Sequence, residues 1–218
     1  MERMVLARGL PELSDFCSEG PEREGDARAQ LLGADDPERF GLQHFIADSY
    51  FRTYGAQVDH FADHLLGLRR ANGPWLAGVG YTLVAAEPLF IEQYLDAPVE
   101  TEIARRLRTP VRRDQIVEVG NLAATEPGAA RRVIICMTAL LNQVERTWVV
   151  FTSTRSLLNS FTRLEIPTIV LARADATRLP DRGTRWGSYY DTDPHVMTAN
   201  IPLGFVHLVS KRRSGNGH

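Results

Sequence analysis

Lysine is nearly absent from this chain. Of its 25 basic residues only Lys211 is a lysine, a skew that GC-rich coding produces and that fits a bacterial source. Cysteine is equally sparse. There are two, Cys17 and Cys136. Cys136 lies in an apolar run and reads as a reduced core residue, because free cysteine is among the most buried types; the setting expected from this is cytoplasmic. Long apolar runs are missing too. Val133–Met137 and Ala139–Leu141 fall well short of the roughly 20 residues that a membrane-spanning helix needs. Residues 1–20 lack the basic start and continuous apolar stretch of a signal peptide. The net charge of −2 gives no global field for nucleic acid or anionic membrane. There is no Gly-rich dinucleotide or Walker pattern. Ser153, Ser156 and Ser188 have no nucleophile-elbow context. His60 and His64 stand four apart with Asp63 adjacent, but no third ligand follows at a convincing spacing, so no metal is expected.

What is present is an ordinary soluble composition, 44% apolar and 24% charged over 218 residues, enough for one substantial core. Residues 1–27 read as a partly flexible arm and 210–218 as a disordered tail, which leaves 28–209 as the domain. Ala29–Leu32 reads as a first strand. Asp35-Asp36-Pro37 reads as a helix start, with Leu42, Ile46, Tyr50 and Tyr54 on one helical face. Leu76–Ala86 reads as a strand. Asp96-Ala97-Pro98 opens a helix over Val99–Leu107. Ile116–Ala124 is a strand, Pro127–Glu145 an amphipathic helix, Trp148–Thr152 a central strand, Arg155–Leu164 a helix and Thr168–Ala172 a strand. Trp186–Tyr190 is a further strand candidate. The alternation gives an α/β (α+β) class, a mixed twisted sheet with helices on both faces.

The most informative stretch runs from Ile116 to Thr154. It is a strand, a Gly-containing turn, a helix and a second strand, with a carboxylate and a glycine inside the first strand. Glu118 sits where a strand is covered on both sides. Desolvation there raises a carboxyl pKa, which suits a general base acting near neutrality. Gly120 marks a bulge or a close backbone approach, and strand N–H groups near Asn121, Leu122, Ala123 and Ala124 could polarise a carbonyl. Gly128, Ala129, Ala130, Arg131 and Arg132 open the helix and could hold phosphates through backbone N–H groups, the helix dipole and guanidinium forks. Glu92, Asp96 and Glu100, around Gln93 and Tyr94, could hold a cationic acceptor; acids at a helix start explain Asp96 and Glu100 equally well. Trp186, Tyr189 and Tyr190 are either packing rings or, for a tyrosine hydroxyl, a proton donor to a leaving thiolate. Arg105, Arg106, Arg108, Arg112 and Arg113 form the densest basic run, a solvated face or a dock for an acidic carrier protein or tRNA.

Five segments carry a resemblance: Tyr50–Ala56, Leu89–Glu100, Ile116–Ala124, Trp148–Thr154 and Trp186–Asp191, spanning about residues 40–200. Together they resemble the thermostable hemolysin family, whose members are similar to GNAT-like acyltransferases, including the N-acyl homoserine lactone synthases. The resemblance implies a GNAT-like fold and transfer of an acyl group from a thioester donor to an amine acceptor. Glu118, Asn121 and Tyr190 would be catalytic. Leu122–Ala124, Gly128–Arg132 and Thr154 would hold the donor, and Tyr54, Glu92, Tyr94, Glu100, Trp186 and Tyr189 the acceptor. The usual pyrophosphate loop runs Arg or Gln, two residues, Gly, one residue, Gly or Ala, and that leading basic residue is missing here. Acyl-CoA, an acyl carrier protein and an aminoacyl-tRNA therefore all stand as donors. The family's name implies a membrane-active lytic protein as the other class of function, which the absent spanning segment and the absent basic amphipathic helix speak against.

Overall fold

A computed structural model describes residues 27–70, 73–84, 87–126 and 128–215, with side chains through Lys211. Seven strands form one sheet in the order β1-β2-β3-β4-β5-β7-β6. They are β1 (Ala27–Leu32), β2 (His64–Arg70), β3 (Trp75–Leu83), β4 (Ile116–Ala124), β5 (Trp148–Ser153), β6 (Ile169–Arg173) and β7 (His195–Asn200). Every neighbouring pair is antiparallel except β4 and β5, which run parallel. A parallel pair needs a crossover, and helix α3 (Ala129–Gln143) supplies it.

Side-chain alternation along β4 sorts the layers. Ile116 belongs to the core on one face, and Val117 packs on the other with Val133, Met137 and Leu140 of α3. The first face is covered by α1 (Arg39–Tyr54), by the 3₁₀ turn Phe90–Tyr94, by α2 (Val99–Leu107) and by three 3₁₀ turns, Ala176–Arg178, Thr184–Trp186 and Tyr189–Thr192. α1 packs there through Leu42 and Ile46, both fully buried, and α2 through Val99 and Ile103. The second face carries α3, α4 (Arg155–Leu164) and α5 (Ile201–Gly215), which meet Phe151 and Met197 of the sheet through Ile134, Leu164 and Leu208.

The strand and helix bounds expected at Val99–Leu107, Ile116–Ala124 and Arg155–Leu164 are those observed. Other readings need correction. Trp186–Tyr190 is not a strand but lies in tight 3₁₀ turns, because Gly183 and Gly187 take positive φ on either side of Trp186. The backbone of α5 stays helical through Gly215, into the segment read as a tail. The expected arm, residues 1–27, lies outside the described residues except for Ala27, which opens β1. Cys136 is buried in the α3 core as expected but is not a reduced thiol. It is disulfide-bonded, so the inference of a reducing compartment loses that support. Among the described residues no helix is long and apolar enough to cross a membrane, and no group of His, Cys, Asp and Glu is placed to hold a metal ion.

Candidate active site

The sheet opens in its middle. β4 and β5 pair from Ile116 with Trp148 as far as Val119 with Phe151. Beyond that point β4 continues against β3 to Ala124, and β5 continues against β7 to Ser153. The opening coincides with a bulge on β4. Gly78 of β3 faces Ala123 and Gly80 faces Gly120, so β4 carries one residue more than β3 over the same span, and Asn121 turns to a left-handed φ of 55°. Bulges re-aim a strand and often stand beside a ligand. Past Val119 no strand among the described residues pairs with that edge of β4, which leaves its backbone donors facing the gap.

The gap belongs to a cavity of about 620 Å³ that passes through the sheet. On the first face it is walled by Tyr50 and Tyr54 of α1, by Phe90 and Tyr94, and by Trp186 and Tyr189. On the second face it is apolar, bounded by Met137 and Leu141 of α3, Phe161 of α4 and Ile166. Between these wings two helix starts flank the gap, α3 at Ala130 and α4 at Thr154 and Ser156. Thr154 caps α4 by accepting the N–H of Leu157. Paired helix N-termini favour anionic groups.

Glu118 lies at the junction of the wings. It accepts the N–H of Phe90 at 3.0 Å and that of Ile91 at 3.1 Å. Burial pushes its carboxyl up, the two N–H groups pull it down, and nearby Glu92 pushes it up again, so that it rests at about 7. No cation is bonded to it among the described residues. Tyr94 meets Tyr190 hydroxyl to hydroxyl at 2.6 Å. Burial raises the Tyr94 phenol above its ordinary range. Burial also raises Tyr190, the bond to Tyr94 lowers it, and the balance is about 12, so both are neutral hydroxyls near pH 7.

The expected residues divide. Glu118, Leu122, Ala124, Ala130, Thr154, Tyr54, Tyr94, Trp186 and Tyr189 line the cavity together. Tyr190 reaches it through Tyr94. Asn121 lines the cavity as well, and its side chain is a brace. Its Oδ1 accepts the N–H of Ala62 at 2.9 Å and its Nδ2 donates to the carbonyl of His60 at 3.1 Å, which fastens the 60–62 loop to the bulge. Ala123 packs into the core under α1. Arg132 donates to the carbonyl of Ala27 on β1, away from the gap, and Gly128, Ala129 and Arg131 are not among the lining residues.

Glu92 and Glu100 do not face the cavity. Arg113 binds both, Glu92 at 2.8 Å and Glu100 at 2.9 Å. Glu92 also accepts the N–H groups of Leu89 and Val99, and Asp96 pairs with Arg178. The basic run is occupied in the same way. Arg105 pairs with Glu102, Arg106 donates to the carbonyl of Leu171, and Arg112 pairs with Asp114.

Tyr50 and Phe90 were not anticipated as site residues. Tyr50 was legible, since it stands four before Tyr54 on one helical face. Phe90 was not, because its backbone N–H rather than its type gives it a role.

The fold is shared with solved structures of low identity. FeeM, an N-acyl amino acid synthase from uncultured soil microbes, superposes with a TM-score of 0.58 at 13% identity, over 83% of this chain and 93% of FeeM. BjaI, a CoA-dependent acyl-homoserine lactone synthase, gives 0.57 at 13% identity, over 85% and 89%. The acyl-homoserine lactone synthase LasI gives 0.54 at 9% identity, over 81% and 91%. The architecture is thus the expected GNAT-like one. No curated protein matches at a significant level. The sequence pattern of the family described as thermostable hemolysin matches residues 32–205, most of the chain and both walls of the cavity, and the chain belongs to that family.

Proposed function

We propose that this protein is an N-acyltransferase that moves an acyl group from a thioester, acyl-CoA foremost, to a small-molecule amine by direct attack. The observation that carries the reading is Glu118. It is a partly exposed but largely desolvated carboxyl balanced at about 7, bonded among the described residues by backbone N–H groups alone, where two differently lined wings of one cavity meet.

The acceptor occupies the aromatic wing and the acyl chain the apolar wing beside Met137, Leu141 and Phe161. The donor's phosphates lie at the starts of α3 and α4, where backbone N–H groups and helix dipoles favour them. The Glu118 carboxylate takes a proton from the acceptor's ammonium. The freed nitrogen attacks the thioester carbonyl, whose oxygen gains negative charge and is held by the donors on the open edge of β4. The carbon–sulfur bond then breaks, the thiolate leaves with a proton from the Tyr94–Tyr190 pair, and the pair regains a proton from the attacking nitrogen, so that a neutral amide and a free thiol result.

Two structural relatives are named as CoA-dependent synthases, which supports CoA as the carrier. An acyl carrier protein would present the same thioester. An aminoacyl-tRNA has less support, because the arginine run that might have met its backbone is largely occupied.

The test is Glu118→Gln. Loss of a positioned general base costs about 10²- to 10⁴-fold, so acyl transfer should fall by at least about 100-fold. Acyl-CoA affinity measured by calorimetry should be unchanged. A variant with wild-type turnover would sink this role for Glu118.

A further inference from the structure

The acceptor's chemistry can be narrowed further, and the step rests on the acyl-transfer reading above. The acceptor wing presents six aromatic side chains, Tyr50, Tyr54, Phe90, Tyr94, Trp186 and Tyr189. They touch in a continuous set. Tyr54 meets Tyr189 edge-on at 5.3 Å, Trp186 meets Tyr189 at 5.4 Å, and Phe90 meets both Trp186 and Tyr94 at 6.1 Å. Such a wall suits an apolar or aromatic body and attracts an ammonium to its ring faces.

The charged groups on the same wall are unbalanced. Among the described lining residues the carboxylates are Glu118, Asp59 and Asp181. The only guanidinium is that of Arg185, and Asp59 already holds it at 2.5 Å. Asp181 also caps the same turn, accepting the N–H of Arg185 at 3.2 Å and that of Gly183 at 3.0 Å. His60 lies at the exposed mouth, its ring stacked on Phe90. An amino acid would bring a carboxylate next to the reacting nitrogen, hence next to Glu118, and would find no unpaired guanidinium there among the described residues. Like charges brought together in a partly desolvated site are strongly unfavourable.

We propose that the acceptor is a primary amine on an aromatic or apolar body that carries no carboxylate, the class to which arylalkylamines belong, rather than a free amino acid. This would set the chain apart from the N-acyl amino acid synthase whose fold it shares.

Paired acceptors provide the test. Tyramine against tyrosine and tryptamine against tryptophan would be offered with octanoyl-CoA, with amide product measured by mass spectrometry and acceptor binding by calorimetry in the presence of CoA. The amines should exceed their parent amino acids at least about tenfold in kcat/KM, and Trp186→Ala should weaken tyramine binding without changing CoA binding. Amino acids that react as well as the amines would overturn this assignment and leave acyl transfer standing. If no acceptor reacts, binding decides. Tyramine held more tightly than tyrosine keeps the assignment while the transfer reading fails, and equal or absent binding overturns it.

Discussion

Glu92 and Glu118 are the same side chain in neighbouring surroundings, and their environments drive them apart. Glu92 feels burial pushing its carboxyl up, but Arg113 and the N–H groups of Val99 and Leu89 outweigh it and hold the group at about 2. Glu118 is also buried and also accepts two backbone N–H groups, yet rests at about 7. The difference is the Arg113 guanidinium beside Glu92, set against the heavier burial of Glu118 and the neighbouring charge of Glu92. With the guanidinium a carboxylate is a permanent anion and a brace. Without it, beside a cavity, the carboxyl changes charge near neutrality and can accept a proton and release it again.

The contrast is open to test, beginning with the largest effect. If Glu118 must be ionised to act, activity rises with pH through about 7 and levels off above. At pH 5 a base of that pKa is ionised about one part in a hundred. The acceptor amine has its own titration, so the quantity to measure is wild-type kcat/KM divided by that of Glu118→Gln across pH 5 to 9. A ratio that stays flat would remove Glu118 from proton transfer.

Next comes the brace. Arg113→Met leaves Glu92 and Glu100 with no guanidinium. The pair is only partly exposed, 25% for Arg113 and 12% for Glu92, so about 2–3 kcal/mol of stability should be lost in urea denaturation. A loss near zero would show that the backbone N–H groups alone hold the turn.

The smallest effect is on stability against pH. A carboxyl whose pKa is higher in the fold than in the unfolded chain binds its proton more tightly when folded. It costs the fold nothing below its ordinary value of 4.5, and the cost of ionising it in place grows as pH rises to about 7. With allowance for the water that the cavity admits, wild-type stability should fall by on the order of 1 kcal/mol across that window. Glu118→Gln should lack that part of the slope. Glu92 has the opposite sign, since its depressed pKa stabilises the fold above its ordinary value and is lost as pH falls towards 2.

Much of this arrangement could be read from sequence where a local rule governs. A carboxylate inside an apolar strand singled out Glu118, and acid-and-proline starts placed α2. The reading failed where distant residues decide. β2 was missed because Leu65, Leu66, Gly67 and Leu68 are all buried, which erases alternation, and because Gly67 reads as a loop residue. Gly67 is required there because a Cβ would stand 2.4 Å from the ring of Trp75. The bracing role of the Asn121 side chain has no local sign, because its partners lie about sixty residues away. Glu92 seemed an acceptor site because Arg113, twenty-one residues on, gives no local sign of reaching back.

Gly187 carries a consequence for how the protein is made. A Cβ at this position would stand 2.0 Å from the Tyr54 carbonyl, and that same carbonyl receives the N–H of Ser188 at 2.8 Å. The contact joins positions 134 residues apart. Contacts of such separation are among the slowest to form. The aromatic wall is therefore completed only when the last quarter of the chain arrives, and a growing chain that already has β4 and its carboxylate does not yet have the chamber that buries it.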